Sequence, residues 1–324
     1  MNKTQYLKVD AVNLEPEIIE KAARYIKAGK LVAFPTDTVY GLGADAFQPQ
    51  AVEKIFLAKG RPPQNALLIL VSNLSQVQRL VGDIPDTARQ LMDRFWPGPL
   101  SIILPAQPEV PDIVRGGHPG VGLRMPSHPV ALALIEATGP IAAPSANLYG
   151  RPSPTNAMHV RQDLDGKIDA VLNAGDTGAG LESTIIDMTG DRLQILRSGG
   201  LSIEALEEFL GAKLETVQSE KLPPYKTRVR VIISDNKDDF DLKLQELLDR
   251  ELFIGTVHIN DGSTHKMDGV KHTFDLNLSG SGKGLYAILR EAEQIGLETL
   301  LVAPFNHDQA GKALLDRLRR AASR

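Results

Sequence analysis

The chain has 324 residues, 42% hydrophobic and 23% charged, and its 36 lysines and arginines against 40 aspartates and glutamates leave a formal charge of -4. These values exclude a disordered or collagen-like chain and an overall basic field for nucleic acid, leaving only a local basic groove open. With no cysteine, disulfides, thiolate nucleophiles and cysteine-ligated zinc are excluded together. The start, MNKTQYLKVD, lacks the apolar stretch of a secretory signal, and the longest apolar run, ALLILV at 66–71, is too short for a membrane span. A soluble cytoplasmic protein with no membrane partner is expected.

In chain order, Ile18, Ile19, Ala22, Ala23 and Ile26 predict an amphipathic helix over 15–28 that Gly29 stops. LVAFP at 31–35 predicts a buried strand, 50–59 a helix, and ALLILV a second strand after the break RPPQ. A helix over 87–95, the turn WPGP, the strand LSIILP, the segment GVGLRMP, a helix over 128–138 and the segment PIAAPSAN continue the alternation. ESTIIDMTG and DRLQILRSG predict a hairpin turning at TGDR, with a helix over 202–210 behind it. A mixed α/β domain on a twisted sheet is therefore expected over 1–210. The polar stretch 211–228, with Pro223 and Pro224, predicts a linker. Beyond it, the strands RVRVIIS, LFIGTVHI, KHTFDLNL and TLLVAPF and the helices over 238–251, in GLYAILREAEQIG and in AGKALLDRLRRAA predict a smaller α/β layer domain over 229–324. There is no internal repeat and no low-complexity tract.

The chemistry-bearing segments fall in the first domain. PTDTVYGLG at 35–43 sets two threonines, an aspartate and a tyrosine at a strand end, before glycines that permit close backbone approach; a polar loop with capping threonines reads equally well. Lys59 and Arg61 offer a point charge and a bidentate fork suited to a polyphosphate, against the alternative of a solvated helix end. Arg124, in GLRMP, needs an anion, either a ligand or one of the domain's own carboxylates. Ser145 and Asn147 in APSAN face a ligand or shape a turn, and Glu182-Ser183-Thr184 follows the glycine-rich GDTGAG, which has neither P-loop nor dinucleotide spacing. With Arg197, four candidate cations recur at element ends, where open α/β sheets bind ligands, so a polyanionic small molecule is the expected guest. His118, His128, His159, His258, His265, His272 and His307 show no metal-ligand spacing and are expected mostly at the surface or in turns.

Taken in order over roughly 15–205, PTDTVYGLG, KGRP, FWPGPLSIIL, GLRMP, APSANLYGRPSPT, GLESTIID and ILRSGG strongly resemble the YrdC-like family, in its longer, two-domain threonylcarbamoyl-AMP synthase form. The resemblance implies an α/β catalytic domain with a concave, positively lined cavity. It also implies an enzyme, a nucleotidyltransferase that makes threonylcarbamoyl-AMP and pyrophosphate from L-threonine, bicarbonate and ATP, for threonylcarbamoyladenosine in tRNA. Magnesium is expected with ATP, and proteins that carry the product on to tRNA as downstream partners, with weak tRNA contact through a local patch. Matched residue by residue, Thr36, Ser183, a main-chain group of Ala143 and Arg124 fall near threonine. Lys59, Arg61, Ser145, Asn147, Ser153 and Arg197 fall on the ATP side, with Lys59 and Arg61 as the catalytic pair.

Three departures from the family pattern stand out. Asn65-Ala66-Leu67 lacks the proline usual at its centre, and Arg197 is followed by Ser198-Gly199 rather than proline-glycine. The linker carries Tyr225, a candidate ATP contact, with Lys226 and Arg228 but without the His-Tyr pair of long members; it is expected to be mobile when empty and ordered by ATP, or else a passive tether. The C-terminal domain matches only through GLYAILREAE and ALLDRLRRAA. Two other functions compete: carbamoyl transfer on the same fold, disfavoured because those enzymes add cysteine-rich zinc fingers, and an RNA-binding module, disfavoured by the net charge and by the lack of a basic, aromatic-interleaved stripe.

Overall fold

The computed structural model describes residues 3–178, 180–217, 224–250, 252–259, 267–276, 284–305 and 309–322. They divide into two units, one drawn from Met1–Tyr149, Ser153–Thr177 and Glu182–Ser219, the other from Gly150–Pro152, Gly178–Leu181 and Glu220–Arg324.

The first unit runs β1 (Gln5–Lys8), α1 (Pro16–Lys27), β2 (Val32–Phe34), β3 (Gly41–Asp45), α2 (Pro49–Lys59), β4 (Leu68–Leu70), α3 (Leu74–Val81), α4 (Asp86–Phe95), β5 (Leu100–Pro105), α5 (Asp112–Arg115), β6 (Gly120–Arg124), α6 (Pro129–Thr138), β7 (Ile141–Ala142), α7 (Ala157–Leu164), β8 (Ala170–Asn173), β9 (Thr184–Asp187), β10 (Gln194–Arg197), α8 (Ile203–Leu210) and β11 (Glu215–Thr216). Its strands form one mixed sheet in the order β1-β8-β2-β3-β7-β4-β6-β5-β9-β10-β11. Alternation along the strands sends side chains to two cores. Val32, Phe34, Leu70 and Ile141 pack with Ile19, Ala22, Ala23 and Ile26 of α1 and with Val130 and Leu134 of α6. Ala33, Leu42, Ile69 and Leu123 join the other core, with Val52, Ile55 and Phe56 of α2 and Leu91 of α4. The predicted hairpin is β9 antiparallel to β10, and Ser202 caps α8 through its hydroxyl.

Several segments differ from the sequence-based expectation. Gly41-Leu42-Gly43, the end of PTDTVYGLG for which a polar loop is one expectation, opens the buried strand β3 (GLGAD), paired to β2 and bridged at Gly41 to Ser145. The expected linker contains β11, parallel to β10. His159 and His258 are buried rather than exposed, and the His128 ring accepts a hydrogen bond from the Val130 amide as the cap of α6. His265, His307 and Pro223 lie outside the described residues.

The second unit contains β12 (Arg230–Ile233), α9 (Lys237–Leu248), β13 (Ile254–Ile259), β14 (His272–Leu276), α10 (Leu285–Gln294), β15 (Thr299–Val302) and α11 (Gln309–Ala322). Its four strands are all parallel, in the order β12-β15-β13-β14. Parallel strands covered on both faces carry nearly continuous apolar runs, which TLLV and IGTVHI show, and Phe240 and Leu247 of α9 close over Ile254 and Leu301.

Candidate functional site

Lys59 is where it is because of the spacing of α2. Val52, Ile55, Phe56 and Lys59 lie on one stripe of the helix, and all four are buried. Gly60 ends the helix in the left-handed region, φ 61°, so the chain turns away immediately after the lysine. The Lys59 ammonium donates to the carbonyl of Ser145 and, at 2.7 Å, to that of Asn147. Two of its three protons are thereby committed to one loop. Burial, and then the neighbouring Arg61 guanidinium, push its pKa well below the ordinary lysine value. The alternative of a solvated helix end is thus overturned for Lys59. Arg61 folds back along the Pro62–Asn65 turn, donating to the carbonyls of Asn65 and Ala66, with its guanidinium 6.0 Å from the Tyr149 ring. Asn65 donates to the Tyr149 hydroxyl, and the Tyr149 amide to the Lys59 carbonyl. The cationic pair and the 145–149 loop therefore form one hydrogen-bonded assembly.

That loop is also tied to the β2–β3 connection. Tyr40 accepts from the Ala146 amide and donates its own to the Pro154 carbonyl. The Ala143 amide is taken by the Leu68 carbonyl, so a main-chain role for Ala143 falls to its carbonyl. Within 36–39, the Thr36 hydroxyl donates to the Val39 carbonyl at 2.7 Å and lies 2.9 Å from that of Thr38. With the Thr36 proton given to Val39, the shared hydrogen comes from Thr38.

Arg124 stands behind this loop, buried, with all three of its nitrogens engaged. It donates to the Gly98 carbonyl at 3.0 Å, to the Thr38 hydroxyl at 2.8 Å and to the Asp37 carboxylate at 2.5 Å. Of the two anions left open by the sequence, the domain's own carboxylate is the one the structure pairs with Arg124. Asp37 Oδ1 also accepts from the Ser127 amide, while its buried Oδ2 has no hydrogen-bond partner among the described residues.

Ser183 and Arg197, assigned to different substrates by motif, come together. The Arg197 guanidinium donates to the Ser183 carbonyl and hydroxyl, both at 3.0 Å. Ser101 of β5, which sequence reasoning missed, places its hydroxyl 2.7 Å from that of Ser183. Gly199 packs so closely here that a Cβ would fall 2.4 Å from the Ser183 carbonyl carbon, so glycine at this position is what lets the hairpin seat Ser183. The neighbouring WPGP turn joins the Arg124 and Ser183 clusters, since Gly98 accepts from Arg124 and Pro99 from the Thr184 amide. Ser153 is buried and donates to Glu182 at 2.8 Å.

Tyr225 is the exception. It belongs to the second unit, buried, with its hydroxyl 2.8 Å from that of Tyr286 and the Arg320 guanidinium 4.2 Å from its ring. Any stacking on a nucleotide would require it to leave these partners. Among the described residues no three His, Asp or Glu side chains cluster as a metal cage. Among the same residues no helix is long and apolar enough to cross a membrane.

Comparison with known proteins agrees in both units. The family model Sua5_yciO_yrdC, described as "Telomere recombination", matches residues 24–199, and the model described as "Threonylcarbamoyl-AMP synthase, C-terminal domain" matches 202–323. A threonylcarbamoyl-AMP synthase of Pyrococcus abyssi is 39% identical over 94% of this chain and 94% of its own. One of Bacillus subtilis is 38% identical over 97% and 95%. The crystal structure of P. abyssi Sua5 complexed with L-threonine superposes with a TM-score of 0.88 at 37% identity, covering 98% of each chain.

Proposed function

The chain belongs to the threonylcarbamoyl-AMP synthase family, and from that premise we infer that it joins L-threonine, bicarbonate and ATP into L-threonylcarbamoyl-AMP and pyrophosphate for tRNA modification. It is a nucleotidyl-transferring enzyme. The observation that carries this reading is the likeness over nearly the whole of both chains to a protein crystallised with threonine.

Bicarbonate gives up carbon dioxide to the amine of threonine, and the hydroxide it leaves takes the proton that the amine loses, so a carbamate and water form. A carbamate oxygen then forms a bond to the α-phosphorus of ATP while the bond from that phosphorus to the bridging oxygen breaks, and pyrophosphate leaves with the electron pair. Three anions must share one site, so catalysis rests on positioning and on screening their repulsion. Lys59 has its third proton for a phosphate, with Arg61 beside it. Ser145, Asn147 and Ser153 orient the nucleotide, and the Ser183 hydroxyl, held by Arg197, receives the threonine carboxylate. Thr36 and the Ala143 carbonyl bound the amino acid, and Arg124 keeps the 36–39 loop in shape through Thr38. Magnesium would arrive held by the triphosphate and would screen its charge, as this cation does when it binds through phosphates and retained waters. Proteins that transfer the threonylcarbamoyl group to tRNA are the partners this chemistry calls for.

Pyrophosphate release measured with ATP, threonine and bicarbonate each withheld in turn tests the reading. Release is expected only when all are present. Equal release without threonine would make the protein an ATP pyrophosphatase and overturn it.

A further inference from the structure

The segment Gly150–Pro152 lies in the chain between Asn147 and Ser153, yet it packs with the second unit. One carboxylate organises that packing. Glu293, on α10, receives the Arg151 guanidinium as a two-pronged pair at 3.0 and 2.8 Å. The same carboxylate accepts from the Arg228 amide at 2.8 Å and from the Thr227 side chain. Burial pushes the Glu293 carboxyl up, but the bonds from Arg151, the Arg228 amide and Thr227 outweigh it and hold the pKa below the usual range.

Further bonds join the same two segments. The Lys226 amide donates to the Gly150 carbonyl at 2.7 Å, and Arg151 to the Lys226 carbonyl at 3.0 Å. Arg290, one helical turn before Glu293 and 1% exposed, donates to the Pro152 carbonyl at 2.5 Å. Gly150 has a φ of +86°, and a Cβ there would meet the Lys226 side chain at 3.3 Å. The turn and the end of the linker are thus fastened together as one piece. A second segment, Gly178–Leu181, also packs in this unit, with Gly180 against Gly284 at the start of α10. The residues that follow the two segments in the chain, Ser153 and Glu182, hydrogen bond to each other.

We propose that Glu293, with Arg290 and Arg151, is a positioning residue for the nucleotide-side loop, fixing the 150–152 turn and the 224–228 segment as one body so that Asn147 and Ser153 are held in place. This rests on the role given to those two residues above and adds a task for the second domain in the reaction. A bidentate pair at a turn suits such a role because it fixes orientation as well as distance.

The test compares full-length wild type with Glu293→Gln, Arg151→Gln and the double variant. The Michaelis constants for ATP and threonine are read alongside the melting temperature and hydrogen exchange in peptides covering 147–157 and 224–228. Glu293→Gln is expected to raise the KM for ATP about tenfold, within the range produced by an ångström-scale misplacement, with little change for threonine. Exchange should quicken in both peptides, and the double variant should be no worse than the worse single. Glu293→Asp should recover part of the loss. An unchanged KM for ATP, quickened exchange in 224–228 alone, or strictly additive effects would overturn the proposal. If wild type shows no threonine-dependent release, the assigned reaction fails, while exchange at 147–157 still decides whether Glu293 fixes the loop.

Discussion

The hydroxyls of Ser101 and Ser183 lie 2.7 Å apart and share one hydrogen, while Arg197 donates to the Ser183 oxygen from 3.0 Å. If Ser101 supplies the shared hydrogen, the Ser183 proton is released for a carboxylate. Ser101→Ala then removes that donor and leaves Ser183 the Arg197 guanidinium. The KM for threonine should rise about five- to tenfold, the equivalent of one hydrogen bond of roughly 1 kcal/mol, with ATP affinity little changed. Steady-state kinetics in each substrate checks this, and equal shifts in both constants would show a general loss of folding instead.

The depressed pKa of Lys59 gives ATP binding a pH dependence of definite sign. A triphosphate favours the charged ammonium, so once the pH exceeds the pKa of Lys59 in the free protein, binding must take up a proton. ATP affinity should therefore fall as pH rises between that depressed pKa and the ordinary lysine value, by at most about tenfold per pH unit. Lys59→Arg, whose charge does not titrate, should flatten the profile. Calorimetric titration of ATP across alkaline pH in both proteins measures it, and identical profiles would remove Lys59 from the phosphates.

Much of this site was legible in the sequence because its parts are local. The stripe Val52, Ile55, Phe56 and Lys59 carried the burial of Lys59 in its spacing, although a lysine at a helix C-terminus is more often a solvated end. The motif order gave the family, and the alternating runs gave the two α/β units. Long-range relations were not legible. Nothing local distinguishes Ser101 from any hydroxyl in a strand, and its partner is 82 residues away. The strand GLGAD has no β-branched residue and is a strand only because its neighbours need small side chains: a Cβ on Gly43 would fall 2.7 Å from the Phe34 ring. The choice of Asp37 as the anion for Arg124 and the seating of Tyr225 against Tyr286 likewise depend on what the fold brings together.

The Asp37–Arg124 pair yields a stability prediction. Arg124 is buried, so Asp37→Asn leaves its charge without a counterion, at a cost of about 3 kcal/mol, as for other broken buried pairs. Replacing both, as Asp37→Asn with Arg124→Met, should cost less than Asp37→Asn alone, because no uncompensated charge remains. Urea denaturation of the three proteins decides it. A loss below about 1 kcal/mol in Asp37→Asn would place the pair among ordinary surface bridges.

The proposed reaction condenses threonine, bicarbonate and ATP into one adenylate. Mass spectrometry of the nucleotide product, formed from threonine and ATP with ordinary or carbon-13 bicarbonate, tests it most directly. The expected product is threonylcarbamoyl-AMP, heavier when the bicarbonate is labelled and absent when threonine is withheld. Accumulation of AMP or ADP alone, with no adenylate that takes up the labelled carbon, would contradict it.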